Sequence, residues 1–126
     1  MAREKFHIFN NFIYWTNLGN KPYGHEQGLS RPCLVIRTTK ESEICTIIPL
    51  TLERMNDNIP YHVDLSNGIS TALVEQIRTI DKHRIYGKLY IKKKHATINE
   101  DDRKRINEQI YYLYTLKEIY KKEVDK

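Results

Sequence analysis

The hydrophobic pattern changes character along the chain. Residues 12–18, FIYWTNL, are rich in aromatic and β-branched types and predict a strand. Residues 19–30 carry three glycines and a proline among polar residues and predict a long loop. Two apolar runs follow, CLVIRT at 33–38 and EICTIIPL at 43–50, predicting a second and third strand. Pro49 puts the end of the third at a sheet edge or strand terminus. YHVDL at 61–65 alternates and runs into Ser66-Asn67-Gly68, a hairpin signal, so TALVEQI at 71–77 is the returning strand. Residues 81–85 suggest a short helical turn, and residues 88–91 a last short strand. Strands at this spacing, with no long helix between them, predict a small antiparallel barrel or sandwich.

The last third has a helical period. Asn99 can cap a helix whose first turn holds Glu100, Asp101 and Asp102 at the positive end of its dipole. Ile106, Ile110, Leu113 and Leu116 or Lys117 form an apolar stripe that Tyr120 and Val124 extend. Lys121 and Lys122 suit the negative pole. The expected architecture is mainly β with one C-terminal helix. At 126 residues, one domain over 1–126 is expected.

Composition narrows the function classes. The net charge of +5 is compatible with a polyanion or an acidic protein as partner. No apolar run approaches the roughly 18 to 20 residues of a membrane span. No apolar segment follows Met1-Ala2-Arg3-Glu4-Lys5, so no secretory signal and a cytoplasmic location are expected. Cys33 and Cys45 each lie in an apolar run, where a free thiol acts as a small hydrophobe rather than half of a disulfide framework. The five histidines are scattered and no paired Cys/His motif exists, so neither a metal nor another cofactor is expected.

Candidate chemistry begins at the loop Gly24-His25-Glu26-Gln27-Gly28 and its exit, Arg31-Pro32. The glycines let backbone approach a ligand, while Glu26 and Gln27 offer a carboxylate and an amide to base edges. A proline at the mouth of a strand would aim the Arg31 guanidinium at a fixed point, as bidentate phosphate binding requires. The ordinary alternative is an edge proline and a solvated arginine, and the spacing alone favours it. Thr51 can donate to a phosphate oxygen or cap a turn. In Gln76-Ile77-Arg78-Thr79-Ile80-Asp81-Lys82 the alternatives are a strand with a polar binding face and a strand with a merely wet one, ending in an Asp81 cap. Lys92-Lys93-Lys94-His95 reads as a solvated turn before it reads as a nucleic-acid patch. Tyr111, Tyr112 and Tyr114 are assigned to helix packing and the rim of an interface.

Three of these segments together carry a resemblance. GHEQG with Arg31-Pro32 and Leu34-Val35-Ile36 resembles the signature loop and strand of the MazF/PemK toxins. QIRTIDK followed by Arg84-Ile85 is similar to that family's second signature, and Ile47-Ile48-Pro49-Leu50-Thr51 to its third strand. The segments stand in the right order, and the resemblance spans about residues 11 to 120. Asn11-Phe12 replaces the family's opening glycine and acidic residue, and the loop before the second signature is short.

The resemblance implies an SH3-like barrel (MazF/CcdB-like) that works as a homodimer. It implies a sequence-specific mRNA interferase, the toxin of a type II toxin–antitoxin pair, held by an antitoxin with an acidic tail. Arg31 and Thr51 would carry catalysis, with His25, Glu26, Gln27, Gln76 and Arg78 contacting single-stranded RNA. The 2′-hydroxyl would attack the adjacent phosphate without a metal, leaving 2′,3′-cyclic phosphate and 5′-hydroxyl ends. Two rivals are a CcdB-like toxin that binds DNA gyrase and a non-catalytic RNA-binding barrel.

Overall fold

The computed structural model describes residues 7–19, 28–53 and 55–115. Its elements are β1 Ile13–Asn17, β2 Ser30–Arg37, β3 Ile44–Thr51, β4 His62–Asp64, β5 Thr71–Leu73, β6 Arg78–Asp81, β7 Ile85–Lys88, β8 Tyr90–Ile91, β9 Lys94–His95 and α1 Glu100–Tyr114. Seven strands make one antiparallel sheet in the order β4-β5-β3-β2-β1-β7, with β6 pairing β3 beside β5. Among the described residues the sheet is open, ending at β4 and β7. A separate hairpin is made by β8 and β9.

The central strands are buried on both faces, which is why they read as near-continuous apolar runs. On one face Ile13, Leu34, Ile48 and Leu50 pack with Val63, Leu65, Val74, Leu89 and Ile106 of α1. On the other, Tyr14, Cys33, Val35, Cys45 and Ile47 pack with Ile80 and Ile85. Ile110 and Leu113 continue the helical stripe against the first face. Its expected continuation through Leu116, Lys117, Tyr120 and Val124, with Lys121 and Lys122, lies outside the described residues. Tyr111, Tyr112 and Tyr114 are exposed on the helix, at positions open to the interface rim expected of them. Asn99 caps the helix as expected, its Oδ1 accepting from the Asp102 N–H at 2.8 Å.

Both prolines differ from expectation. β2 and β3 are interior strands, and Pro32 and Pro49 are buried inside them. Each falls where a ladder lapses, the position at which a missing N–H costs least. Pro49 lies between Ile47, the last residue of β3 paired with β6, and Leu50, the first paired with β5. Pro32 lies just past the terminal β2–β3 pair, Cys33 with Pro49. The expected strand over 71–77 is also broken. Thr71–Leu73 forms β5, and a 3-10 turn over Val74–Gln76 then re-aims the chain from β5 to β6.

The segment 52–60 after β3 is held at two points. Near its start, the Glu53 carbonyl accepts from Thr51 Oγ1 at 3.1 Å and Thr71 Oγ1 at 2.9 Å. Near its end, His62 lies between Asp57 (Nδ1–Oδ2 2.8 Å) and Glu75 (Nε2–Oε1 2.9 Å). Burial pushes the imidazolium toward losing its proton, but the two carboxylates outweigh it and the His62 pKa is raised. A raised folded-state pKa stabilises fully below the unfolded value, about 6.5, and that stabilisation is lost as pH rises through the folded value. His62→Gln is therefore expected to cost about 1 kcal/mol near pH 6, and less above pH 8. Urea midpoints of the two proteins across that range check it. A gap that stays constant with pH would count against the ion pairs.

Candidate functional site

Arg31 is the second residue of β2, opposite Thr16 of β1. The neck of the preceding loop positions it: Leu18 N donates to the Leu29 carbonyl at 2.8 Å, and Leu29 N to the Gly19 carbonyl at 2.5 Å. Leu29 takes a left-handed backbone (φ 62°) to close this neck. Alternation then aims Arg31, Cys33 and Val35 at one face of the sheet. On β3, Ile47 and Pro49 share that face through their partners Val35 and Cys33. Continuing the register by two residues sets Arg31 across from Thr51, beyond the two prolines. Arg78, opposite Ile47 on β6, lies on the same face.

Beneath these groups is the Cys33 thiol. Burial pushes it up to about 12, only partly opposed by a hydrogen bond with Thr16 and by the Arg78 and Arg31 charges. The thiol is thus a neutral floor on which two guanidinium groups converge. Cys45 is likewise pushed up, to about 11, by burial. Native protein is therefore expected to resist thiol alkylation at pH 8, with both cysteines labelling only after unfolding, a difference that intact-mass measurement reads directly. Among the described residues, Arg31 Nε is buried without a hydrogen-bond partner. A buried donor left unsatisfied costs free energy, so it marks a place where an acceptor would be welcome.

The end of the β1–β2 pair opens on a cavity of about 530 Å³ lined by Asn17, Ser30, His83, Arg84 and Tyr86. Arg84 Nη1 donates to the Asn17 carbonyl at 3.1 Å, adding a third guanidinium near this end. The β1–β7 ladder shifts register between Trp15 and Thr16, which leaves Tyr86 without an opposite residue and free to line the cavity. Thr51 is the last residue of β3, paired with Thr71, rather than a residue after the strand. Gln76 ends the 3-10 turn, half-buried, two residues before Arg78. His25, Glu26 and Gln27 lie outside the described residues. Among the described residues, no group of three or more His, Cys, Asp or Glu comes together as a metal cluster would.

Sequence reasoning passed over Thr16 and the role of Cys33. The available signal was their period: Cys33 stands two residues from Arg31, hence on its face of a strand.

A sequence profile described as PemK-like, MazF-like toxin of type II toxin–antitoxin system matches residues 11–114. The chain belongs to that family. Endoribonuclease EndoA of Bacillus subtilis (strain 168) is 33% identical over 86 residues, covering 61% of this chain and 73% of EndoA. Crystal structures of MazF (Form-I) and MazE-MazF (Form-II) from Deinococcus radiodurans match with TM-scores of 0.68 and 0.64. Each is 20% identical to this chain and covers 86% of it, and the match takes in 97% and 96% of their own lengths. For this PemK-like, MazF-like chain, the fold similarity thus extends over nearly the whole of the solved relatives.

Proposed function

We propose that this chain is a sequence-specific endoribonuclease and the toxin of a type II toxin–antitoxin pair. It cleaves single-stranded mRNA to 2′,3′-cyclic phosphate and 5′-hydroxyl ends, and no metal takes part. The observation that carries the reading is the convergence of Arg31 and Arg78 on one face beside the Cys33 thiol, in a family that includes an endoribonuclease relative.

In-line attack of a 2′-oxygen on the neighbouring phosphorus builds negative charge on the non-bridging oxygens. Preorganised guanidinium and hydroxyl groups stabilise that charge more than they stabilise the ground state. Arg31 is the principal stabiliser, through its buried Nε and its fork. Thr51, whose hydroxyl now donates to the Glu53 carbonyl, turns to a phosphate oxygen when substrate is bound. A guanidinium holds its proton too tightly to be a base near neutrality. Arg31 instead donates a hydrogen bond to the 5′-oxygen as its bond to phosphorus breaks, and solvent or the group that took the 2′ proton supplies the proton of the 5′-hydroxyl. Glu26, His25 and solvent are the candidate acceptors of the 2′ proton, and His25, Glu26, Gln27, Gln76 and Arg78 the candidate contacts to the RNA strand.

Residues 1–126 act as one toxin unit, its open sheet curving as an SH3-like barrel, in a cytoplasmic homodimer. The solved MazE-MazF complex of a related fold supports an antitoxin partner. The acidic tail proposed for that antitoxin would compete with RNA for the basic face. Gyrase binding in the manner of CcdB is less favoured, since it needs no paired arginines and the matching curated relative is named an endoribonuclease.

Incubation of the protein with a long RNA in EDTA tests the reading. Discrete cuts with cyclic-phosphate ends are expected, and none in the DNA of the same sequence, which lacks the attacking hydroxyl. Intact RNA despite growth arrest on expression would overturn it in favour of gyrase poisoning.

A further inference from the structure

We propose that the β8–β9 hairpin is a second RNA contact, at which Lys92, Lys93 and Lys94 hold phosphates flanking the cleaved bond and Tyr90 offers a base a stacking face. The inference rests on the ribonuclease reading above.

The observation behind it is a turn made from the wrong residues. Ile91 pairs with Lys94, so Lys92 and Lys93 form a two-residue hairpin turn, and both have left-handed backbones (φ 51° and 68°). Such turns select Asn-Gly or Asp-Gly, because other side chains crowd the following carbonyl. Lysine at both positions is a local conflict, and such conflicts gather at functional sites. All three lysines are exposed, and among the described residues no side-chain ammonium of theirs donates to a protein acceptor.

The root of the hairpin, by contrast, is firmly held. His95 Nε2 bonds the Ile13 carbonyl at 2.8 Å, and its ring packs on Phe12 and Tyr14 at centroid distances of 4.7 and 4.8 Å. Leu89 N donates to the Ile13 carbonyl at 3.1 Å, Ile13 N to Ala96 at 3.0 Å and Ala96 N to Leu89 at 2.8 Å. A rigid stem therefore presents the cationic tip. Residues 82–99 contain six lysines or arginines and no acidic residue, so no carboxylate of its own stretch neutralises the tip. Tyr90, opposite His95, is 60% exposed. Cations beside an exposed aromatic ring are the combination that single-stranded nucleic acid requires, whereas an acidic peptide would need the cations alone.

The path from Arg31 also fits flanking nucleotides. β1 runs three residues from Thr16 to Ile13, and the hairpin reaches three residues past Leu89, at most roughly 20 Å of extended chain. That is too far for the reacting phosphate and within reach of its neighbours.

The test compares wild type with Lys92→Asn/Lys93→Gly, which relieves the turn, and Lys92→Gln/Lys93→Gln, which retains its strain. Binding of a mixed-sequence, uncleavable 2′-O-methyl RNA is measured as salt is raised. Two lost phosphate contacts should reduce the slope of log K against log salt by about 1.4, so about sevenfold of the affinity lost per fourfold rise in salt disappears. Both variants should show this, while Asn-Gly raises the melting temperature by a few degrees. Unchanged slopes in both variants overturn the proposal. So does a loss of polyglutamate binding with RNA binding intact, which would give the hairpin to a protein partner. Wild-type protein that neither binds nor cuts RNA would instead sink the ribonuclease reading itself.

Discussion

Arg31→Ala is expected to reduce single-turnover RNA cleavage by at least about 100- to 1000-fold while leaving the melting temperature nearly unchanged. The magnitude is that of removing one preorganised charge stabiliser from a phosphoryl or acyl transition state. The small stability effect follows from how the residue is held. Among the described residues its Nε has no hydrogen-bond partner for folding to lose, and its side chain is only half-buried at the end of the β2–β3 ladder. Loss of an unsatisfied buried donor offsets part of the lost packing, so the net change should stay within about 1 kcal/mol. Arg31→Lys should restore little, because an ammonium cannot reproduce the planar fork. Arg78→Ala should cost less, about tenfold, if its charge assists Arg31 from the neighbouring strand. Wild-type cleavage by Arg31→Ala would remove the proposed mechanism.

The same residue shows how far the sequence could be read. Arg31-Pro32 looked like the doorway of a strand because proline disfavours sheet interiors. Yet the strand begins at Ser30 and Pro32 is buried within it. Local chemistry could not reveal that the neighbouring ladder stops at Cys33 and Pro49, since that is a property of the pairing between β2 and β3. The central strands, the Ser66-Asn67-Gly68 turn, the Asn99 cap and the Asp81 cap of the 3-10 turn were legible because each depends on residues close in sequence. The break of 71–77 into a strand and a 3-10 turn was not, because Val74-Glu75-Gln76 has no breaker in it. Lys92-Lys93 was legible as a solvated turn, but the tight hairpin it closes was not, because its left-handed backbone contradicts what its residues prefer. As to the candidate site, Arg31, Arg78 and Thr51 are candidates by motif, whereas Thr16 and the Cys33 floor required the β1–β2 register.

Two prolines at the end of one ladder also bear on where the proposed site lies. Past Cys33 and Pro49, backbone groups of β2 and β3 no longer bond each other, and Arg31 and Thr51 stand across that opening. A sheet that paired to its end would fill the space that the proposed mechanism gives to a phosphate. Replacing either proline should therefore act on the site before it acts on the core.

Asp102→Ala should produce the largest loss of stability, about 2 to 3 kcal/mol, with cleavage per folded molecule unchanged. Asp102 is 2% exposed in the first turn of α1 and clips the helix to the segment after β4. Its Oδ1 accepts from Ser66 Oγ at 2.7 Å, Ser66 N at 3.1 Å and Arg105 Nη2 at 2.6 Å, and its Oδ2 lies 3.2 Å from Ser66 N. Removing a buried carboxylate leaves its donors without an acceptor, at a cost of roughly 1 to 3 kcal/mol per strong interaction. The total stays below that of a fully buried pair because Arg105 is partly exposed and can be rehydrated. Asp102→Asn keeps an acceptor for Ser66 but loses the charge, and should cost about half as much. The effect is on docking rather than chemistry: the clip registers Ile106, Ile110 and Leu113 against the first face of the sheet, while Arg31 and Cys33 lie on the other. Urea unfolding reads the stability, and cleavage by the remaining folded fraction reads the site. A variant within about 0.5 kcal/mol of wild type would mean that apolar packing alone seats the helix.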